Sequence, residues 1–169
     1  MAATRVIARS LWLLCFALLS CDEGLGPSSQ NGPIVPSGFS GLITFRHWEA
    51  VDSLYDLRLV AFTNFPPGDI VTEVLQGRAL VYPSLQSDQP LAISGTDSLR
   101  YTVGVPPNSY PYVVVAHRFG PDLYNDWRPD GQYDLDTNLT IPSPVVVTAG
   151  ESTPAIDIIV DFANPPPPP

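Results

Sequence analysis

The residues best suited to chemistry lie between Gly120 and Pro142. This stretch holds Asp122, Asp126, Asp130, Asp134 and Asp136, together with Asn125 and Asn138. Ca²⁺ takes six to eight oxygen ligands, and closely spaced Asp and Asn can supply them. Asp134-x-Asp136-x-Asn138 has the opening rhythm of a calcium loop, but it lacks the glycine at the sixth position, and Val145 stands where the twelfth-position glutamate belongs. The spacing therefore favours a solvated acidic loop turned by Asp and Gly, with calcium as the alternative. The same stretch carries Tyr124, Trp127 and Tyr133, and Trp48 follows the first apolar run. Aromatic rings flanked by Asp and Asn can stack on sugar faces, so Trp127, Tyr124 and Trp48 are candidate ligand-binding residues. The competing reading is that these large apolar rings fold inward.

Other chemistries find less support. His47 and His117 are the only histidines, with Glu49 near the first. No HxH or HExxH spacing is present, so no metal centre or cofactor is expected. No G-x-S-x-G elbow occurs, and lysine is absent, which removes the usual starting points for nucleophilic hydrolysis. Solvated loop aspartates do not form the raised-pKa acid that glycosidases require. The expectation is a protein without an active site of its own.

The amino-terminal segment carries an address. Arg5 and Arg9 precede the uncharged run Leu11–Leu19, then come Ser20, Cys21, Asp22 and Glu23. A positive start, an apolar segment of about 7–15 residues and a small residue before the cut are the order of a secretory signal. The run is shorter than the roughly 20 residues that a spanning helix needs. Leu18-Leu19-Ser20-Cys21 resembles the lipobox of bacterial lipoproteins. The resemblance implies cleavage before Cys21, diacylglycerol on its thiol and attachment to a membrane in the cell envelope. Two or three acyl chains would make that attachment effectively permanent, since each buried CH₂ contributes about 0.8 kcal/mol. Asp22 matches an inner-membrane retention residue, but that rule differs among bacteria and leaves the choice of membrane open.

Cleavage would remove Arg5, Arg9 and Cys15. Six basic residues would then face seventeen acidic ones, a net charge of −11. Such a balance repels nucleic acid. With Cys21 acylated, no disulfide is available, and stability must come from buried apolar surface.

The elements that position these residues are strands. Residues 21–38 are rich in Gly, Pro and Ser and read as a flexible tether. Residues 164–169 are a proline run that cannot join a sheet, so they are expected as an extended cap or a loose end. Between them, residues 39–163 show short alternating segments broken by turn residues. Strands are expected at Phe39–Arg46, Asp56–Phe62, Arg78–Tyr82, Leu99–Val105, Tyr112–Arg118, Pro144–Ala149 and Ile156–Phe162. Asp69–Gln76 is the one candidate short helix. Leu57–Phe62 is apolar on both faces and should be central, and Ile156, Ile158, Val160 and Phe162 share the cleanest face. About seven strands without a long helix predict an all-β sandwich.

Three stretches add a resemblance. Ser40–Phe45, the segment Tyr101–Tyr110 with its Pro106-Pro107-Asn108 turn, and the pair Val145–Gly150 and Ile156–Phe162 resemble carboxypeptidase-regulatory-like domains. Asn108 stands where that family has glycine, and asparagine tolerates the left-handed backbone region. Residues 64–98 fit least well. The resemblance implies a prealbumin-like (Ig-like Greek-key) β-sandwich and a structural or interaction module, with envelope proteins or glycans as partners.

Overall fold

The computed structural model describes residues 36–136 and 138–169. Cys21, the expected lipid-attachment residue, and the expected signal segment lie outside the described residues. Among the described residues, no helix is long and apolar enough to cross a membrane.

The fold is all-β. Ten strands run in the order β1 (Gly38–Arg46), β2 (Asp56–Phe62), β3 (Ala79–Tyr82), β4 (Ser98–Gly104), β5 (Asn108–Tyr110), β6 (Tyr112–Arg118), β7 (Trp127–Gln132), β8 (Val145–Val147), β9 (Ser152–Thr153) and β10 (Ile158–Asp161). One short helix, α1 (Ile70–Leu75), lies between β2 and β3. The first sheet has the order β10-β1-β4, with β9 also paired to β1. The second has the order β3-β2-β6-β7, and β5 pairs with β8. β1 runs parallel to β9 and β10 and antiparallel to β4.

Period-two alternation explains how the sheets stack. Ile156, Ile158, Val160 and Phe162 are all buried, as are Tyr101, Val103 and Val105. They meet Leu57, Leu59, Ala61, Val113 and Val115 of the second sheet in one core. Removing such rows of apolar side chains from water is the main stabilising term, at roughly 25 cal/mol per Å². The expected central strand is central: β2 lies between β3 and β6.

The seven expected strands are all present, and three short ones add to them. The largest correction concerns residues 120–142, which were expected as one long loop. Trp127–Gln132 forms the edge strand β7 instead. Its sequence, with a proline, an aspartate and a glycine, is poor strand material. Three contacts impose the strand. β7 pairs with β6 around a bulge, where Gly131 faces Val115 and Pro129 faces Ala116, leaving Asp130 as the extra residue. Gly131 lies so close to β10 that a Cβ would come within 2.3 Å of the Ile159 carbonyl oxygen. Tyr133 then bridges to Ile158 and links the two sheets.

Two smaller expectations also change. Asn108 does not use the left-handed region; among the described non-glycine residues only His47 and Ala155 have positive φ. Asn108 opens β5 opposite Val147, and the preceding turn is closed by the Tyr110 hydroxyl, which donates to the Pro106 carbonyl at 2.7 Å. The expected domain boundary after residue 38 also moves earlier, because Ser37 already joins the sheet network. Val105 N–H donates to the Ser37 carbonyl, Gly38 N–H donates to the Glu151 carbonyl, and Gly150 N–H reaches Ser37 Oγ.

Candidate functional site

β2 and β6 each have a second apolar face, directed away from the core. Register pairs Arg58 with Ala116, Val60 with Val114 and Phe62 with Tyr112 along this face. Three elements, and the proline run that follows β10, cover it incompletely.

The first is the segment from Pro83 to Gln89. Arg58 is 3% exposed, and its guanidinium fans onto four carbonyls. Nη1 donates to Pro83, Ser84 and Gln89 at 3.1 Å each, and Nη2 donates to Ser87 at 2.7 Å. Its Nε lies 2.8 Å from Asp56 Oδ1, but the N–H is poorly aligned and makes no hydrogen bond. The contact is therefore charge attraction only. The rigid guanidinium fork suits this gathering of backbone oxygens.

The second is α1. Asp69 caps it by accepting from Thr72 N–H at 2.8 Å, a standard way to satisfy a free helix-end donor. Ile70 and Val74 pack on the outer face. Buried Glu73 accepts from Gly68 N–H at 2.8 Å and from Arg78 Nε and Nη2 at 2.7 and 2.9 Å. The Arg78 fork holds the Glu73 carboxyl below its ordinary pKa. Burial opposes this shift and the Gly68 N–H assists it.

The third is the segment entering β7. Asp122 accepts from Tyr124 N–H at 2.8 Å, Asn125 N–H at 3.2 Å and the Asn125 amide at 2.8 Å. The Asn125 side-chain bond and these two N–H groups lower its pKa. Asp126 accepts from Asp122 N–H at 2.7 Å, and the Trp127 indole N–H donates to the Leu123 carbonyl at 2.8 Å. These acids shape the turn that presents Tyr124 and Trp127.

A cleft of about 270 Å³ remains between the second and third coverings, lined by Phe62, Ile70, Tyr112, Val114, Tyr124 and Trp127. Phe62 and Tyr112 stack with ring centroids 5.6 Å apart, and Phe65 meets Tyr112 edge-on at 5.4 Å. The structure thus brings two of the sequence candidates, Trp127 and Tyr124, into one cleft. Trp48 sits elsewhere, against Phe45 and Phe162, with its indole N–H bonded to the Thr96 carbonyl at 2.8 Å. Sequence reasoning did not place Phe62, Phe65 or Tyr112 here. Strand parity, which puts Phe62 and Tyr112 on the face opposite Leu59 and Val113, is the signal that could have found those two; Phe65 lies beyond the end of β2, where parity does not reach.

The calcium candidates act as turn formers. Asp134 Oδ1 accepts from Ser143 Oγ at 2.8 Å, Asp136 Oδ1 from Asn138 N–H at 2.6 Å, and Asn138 Oδ1 from Thr140 N–H at 3.2 Å. Asp134 and Asp136 also border a trough of about 370 Å³ with Asp157 and Asp161. Among the described residues, no three His, Cys, Asp or Glu side chains converge as a metal-binding group.

Each histidine has its own aspartate. His47 Nδ1 lies 2.7 Å from Asp161 Oδ1 near the end of β10. His117 and Asp130 are buried and hydrogen-bonded to each other. The bulge in β7 turns Asp130 toward His117, a common use of such irregularities. Arg128 Nε adds a charge contact to Asp130 at 3.3 Å, and the rings of Phe119 and Phe162 close over His117. No sequence motif announced this pair.

Compared with family models, with curated proteins and with solved structures, the chain finds no match.

Proposed function

We propose that this chain is a non-enzymatic lipoprotein of the cell envelope, anchored through Cys21, whose β-sandwich serves as an interaction module. The observation that carries this reading is the open, ring-lined cleft on the outer face of the second sheet. Concave apolar surfaces with a few polar groups are the usual form of ligand sites. The leader, with its positive start, short apolar run and Leu18-Leu19-Ser20-Cys21, supplies the address. A prealbumin-like arrangement of the carboxypeptidase-regulatory-like kind agrees with this role.

Cys21→Ser and a photo-crosslinking residue at Tyr124 test the two halves of the proposal in cells. The serine variant is expected to leave the membrane fraction and lose lipid labelling. The crosslinker at Tyr124 should give discrete envelope adducts that the same group at exposed Ile93 does not. Retained labelling would refute the anchor, and identical adduct patterns at both positions would refute the cleft.

A second reading, a carbohydrate-binding surface lipoprotein, draws on Trp127 and Tyr124 sharing this cleft. Glycan-array binding that Trp127→Ala abolishes would favour it; binding indifferent to that change would remove it.

A further inference from the structure

The outer aromatic face already holds a segment of this chain. After β10 the chain turns at Asp161, whose carbonyl and Oδ1 both accept from Asn164 N–H at 3.1 Å. Five consecutive prolines follow. Pro166 is buried. Pro168 and Pro169 form one wall of the cleft that holds Trp127 and Tyr112. Pro167–Pro169 also border an adjoining cleft of about 240 Å³ with Phe65, Pro66 and Tyr112. Tyr112 thus lies in both clefts beside the same proline wall.

A proline run has no N–H groups to offer a sheet and keeps φ near −65°. It travels as an extended left-handed helix, with ring faces and carbonyl oxygens as its only contacts. Proteins that recognise such runs use troughs of aromatic rings, because little ordering entropy is lost on docking. Here Phe62, Tyr112 and Phe65 form a continuous ring surface, with Trp127 beside it.

A second observation comes from the hydroxyl of Tyr112. The residue is 2% exposed, and its hydroxyl is buried without a partner. A buried hydroxyl left unpaired costs about 1–3 kcal/mol. The chain's own prolines lie beside this donor without giving it an acceptor. Carbonyl oxygens are the acceptors that an extended proline segment carries.

We propose that the Phe62–Tyr112–Phe65–Trp127 surface is a binding groove for proline-rich, polyproline II segments of another protein, and that Pro165–Pro169 occupies it as a resident competitor. This rests on the interaction-module reading and names the partner's chemistry. A tethered competitor acts at an effective concentration of roughly millimolar. It holds the groove closed to weak ligands and yields to a segment that satisfies Tyr112.

The test uses the lipidated full chain in detergent micelles, alone and with Pro167→Ser, Pro168→Ser and Pro169→Ser combined. Each form is titrated with decaproline by calorimetry and tryptophan fluorescence, and melting curves check that it is folded. The serine variant is expected to bind at least about tenfold more tightly than the native chain, since the competing population is removed. Adding Tyr112→Phe should weaken binding several-fold while leaving the melting point unchanged or higher, because an unpaired buried hydroxyl is lost. A folded serine variant that ignores decaproline up to several millimolar overturns the proposal. Glycan binding without decaproline binding overturns it in favour of the sugar reading. Either failure leaves the Cys21→Ser fractionation result intact, so the broader reading is judged separately.

Discussion

On β2 and β6, Leu57, Leu59, Ala61, Val113 and Val115 face the first sheet, whereas Arg58, Val60, Phe62, Tyr112, Val114 and Ala116 face outward. Both rows are buried, but different physics buries them. The inner row is aliphatic and is sealed by a complementary sheet, the close-packed arrangement in which a missing methylene is felt. The outer row mixes two stacked rings, Phe62 and Tyr112, with aliphatic side chains and one arginine, and it is covered in pieces, by a segment tied to that arginine, a six-residue helix, the Trp127 turn and a proline wall. A surface assembled from separable pieces can be opened without unfolding the sheet beneath it. In this protein, hydrophobic burial alone therefore does not separate core from site; the character of the cover does.

The largest effect should come from Arg58→Ala. It leaves Asp56 without its counter-charge and four carbonyls without a donor, and removing one partner from a buried charged cluster costs about 3–5 kcal/mol. Chemical denaturation should show this loss, together with early proteolysis between Pro83 and Gln89. A loss below about 1 kcal/mol would mean that the outer cover is not polar in origin.

Leu59→Ala probes the opposite face. A cavity between the sheets is expected to cost about 3 kcal/mol, within the usual range for buried leucines. The cleft should be unaffected, so the Trp127 signal of the folded, 5-fluorotryptophan-labelled variant should match that of the native chain, whatever happens to Trp48 on the core. A shifted Trp127 signal would show that the two faces are coupled.

A smaller effect is expected from pH. The Glu73 carboxyl has a lowered folded-state pKa because of Arg78. Its stabilisation is fully present above the ordinary value of about 4.5 and is lost as pH falls through the lower, folded value. Glu73→Gln should therefore flatten the stability profile below that pH and lower the plateau above it. An unchanged slope would show that this pair does not contribute to acid sensitivity.

How far the sequence foretold this arrangement depends on which force shapes each element. β2, β6 and β10 are set by apolar alternation, which is written in neighbouring residues, and their limits came out within one or two positions. β7 is set by distant contacts: the bulge at Asp130, the close approach of Gly131 to β10, and the His117 pair. Nothing in Trp127-Arg128-Pro129-Asp130-Gly131-Gln132 announces a strand. The candidate site divides in the same way. Trp127 and Tyr124 drew notice as aromatics among polar residues, whereas Phe62 and Tyr112 look like ordinary core residues until register places them outside the core. The proline run was expected as an extended cap or a loose end, and its position against Tyr112 depends on chain path rather than composition.

The described residues hold two tryptophans, one in each region: Trp48 against Phe45 and Phe162, and Trp127 at the outer cleft. Fluorine NMR of the 5-fluorotryptophan-labelled protein therefore reports on both at once. Replacing Pro167–Pro169 by serine, and then adding decaproline, should shift the Trp127 resonance at each step and leave that of Trp48 in place. Two unmoved resonances, or two that move together, would contradict an outer face that opens independently of the core.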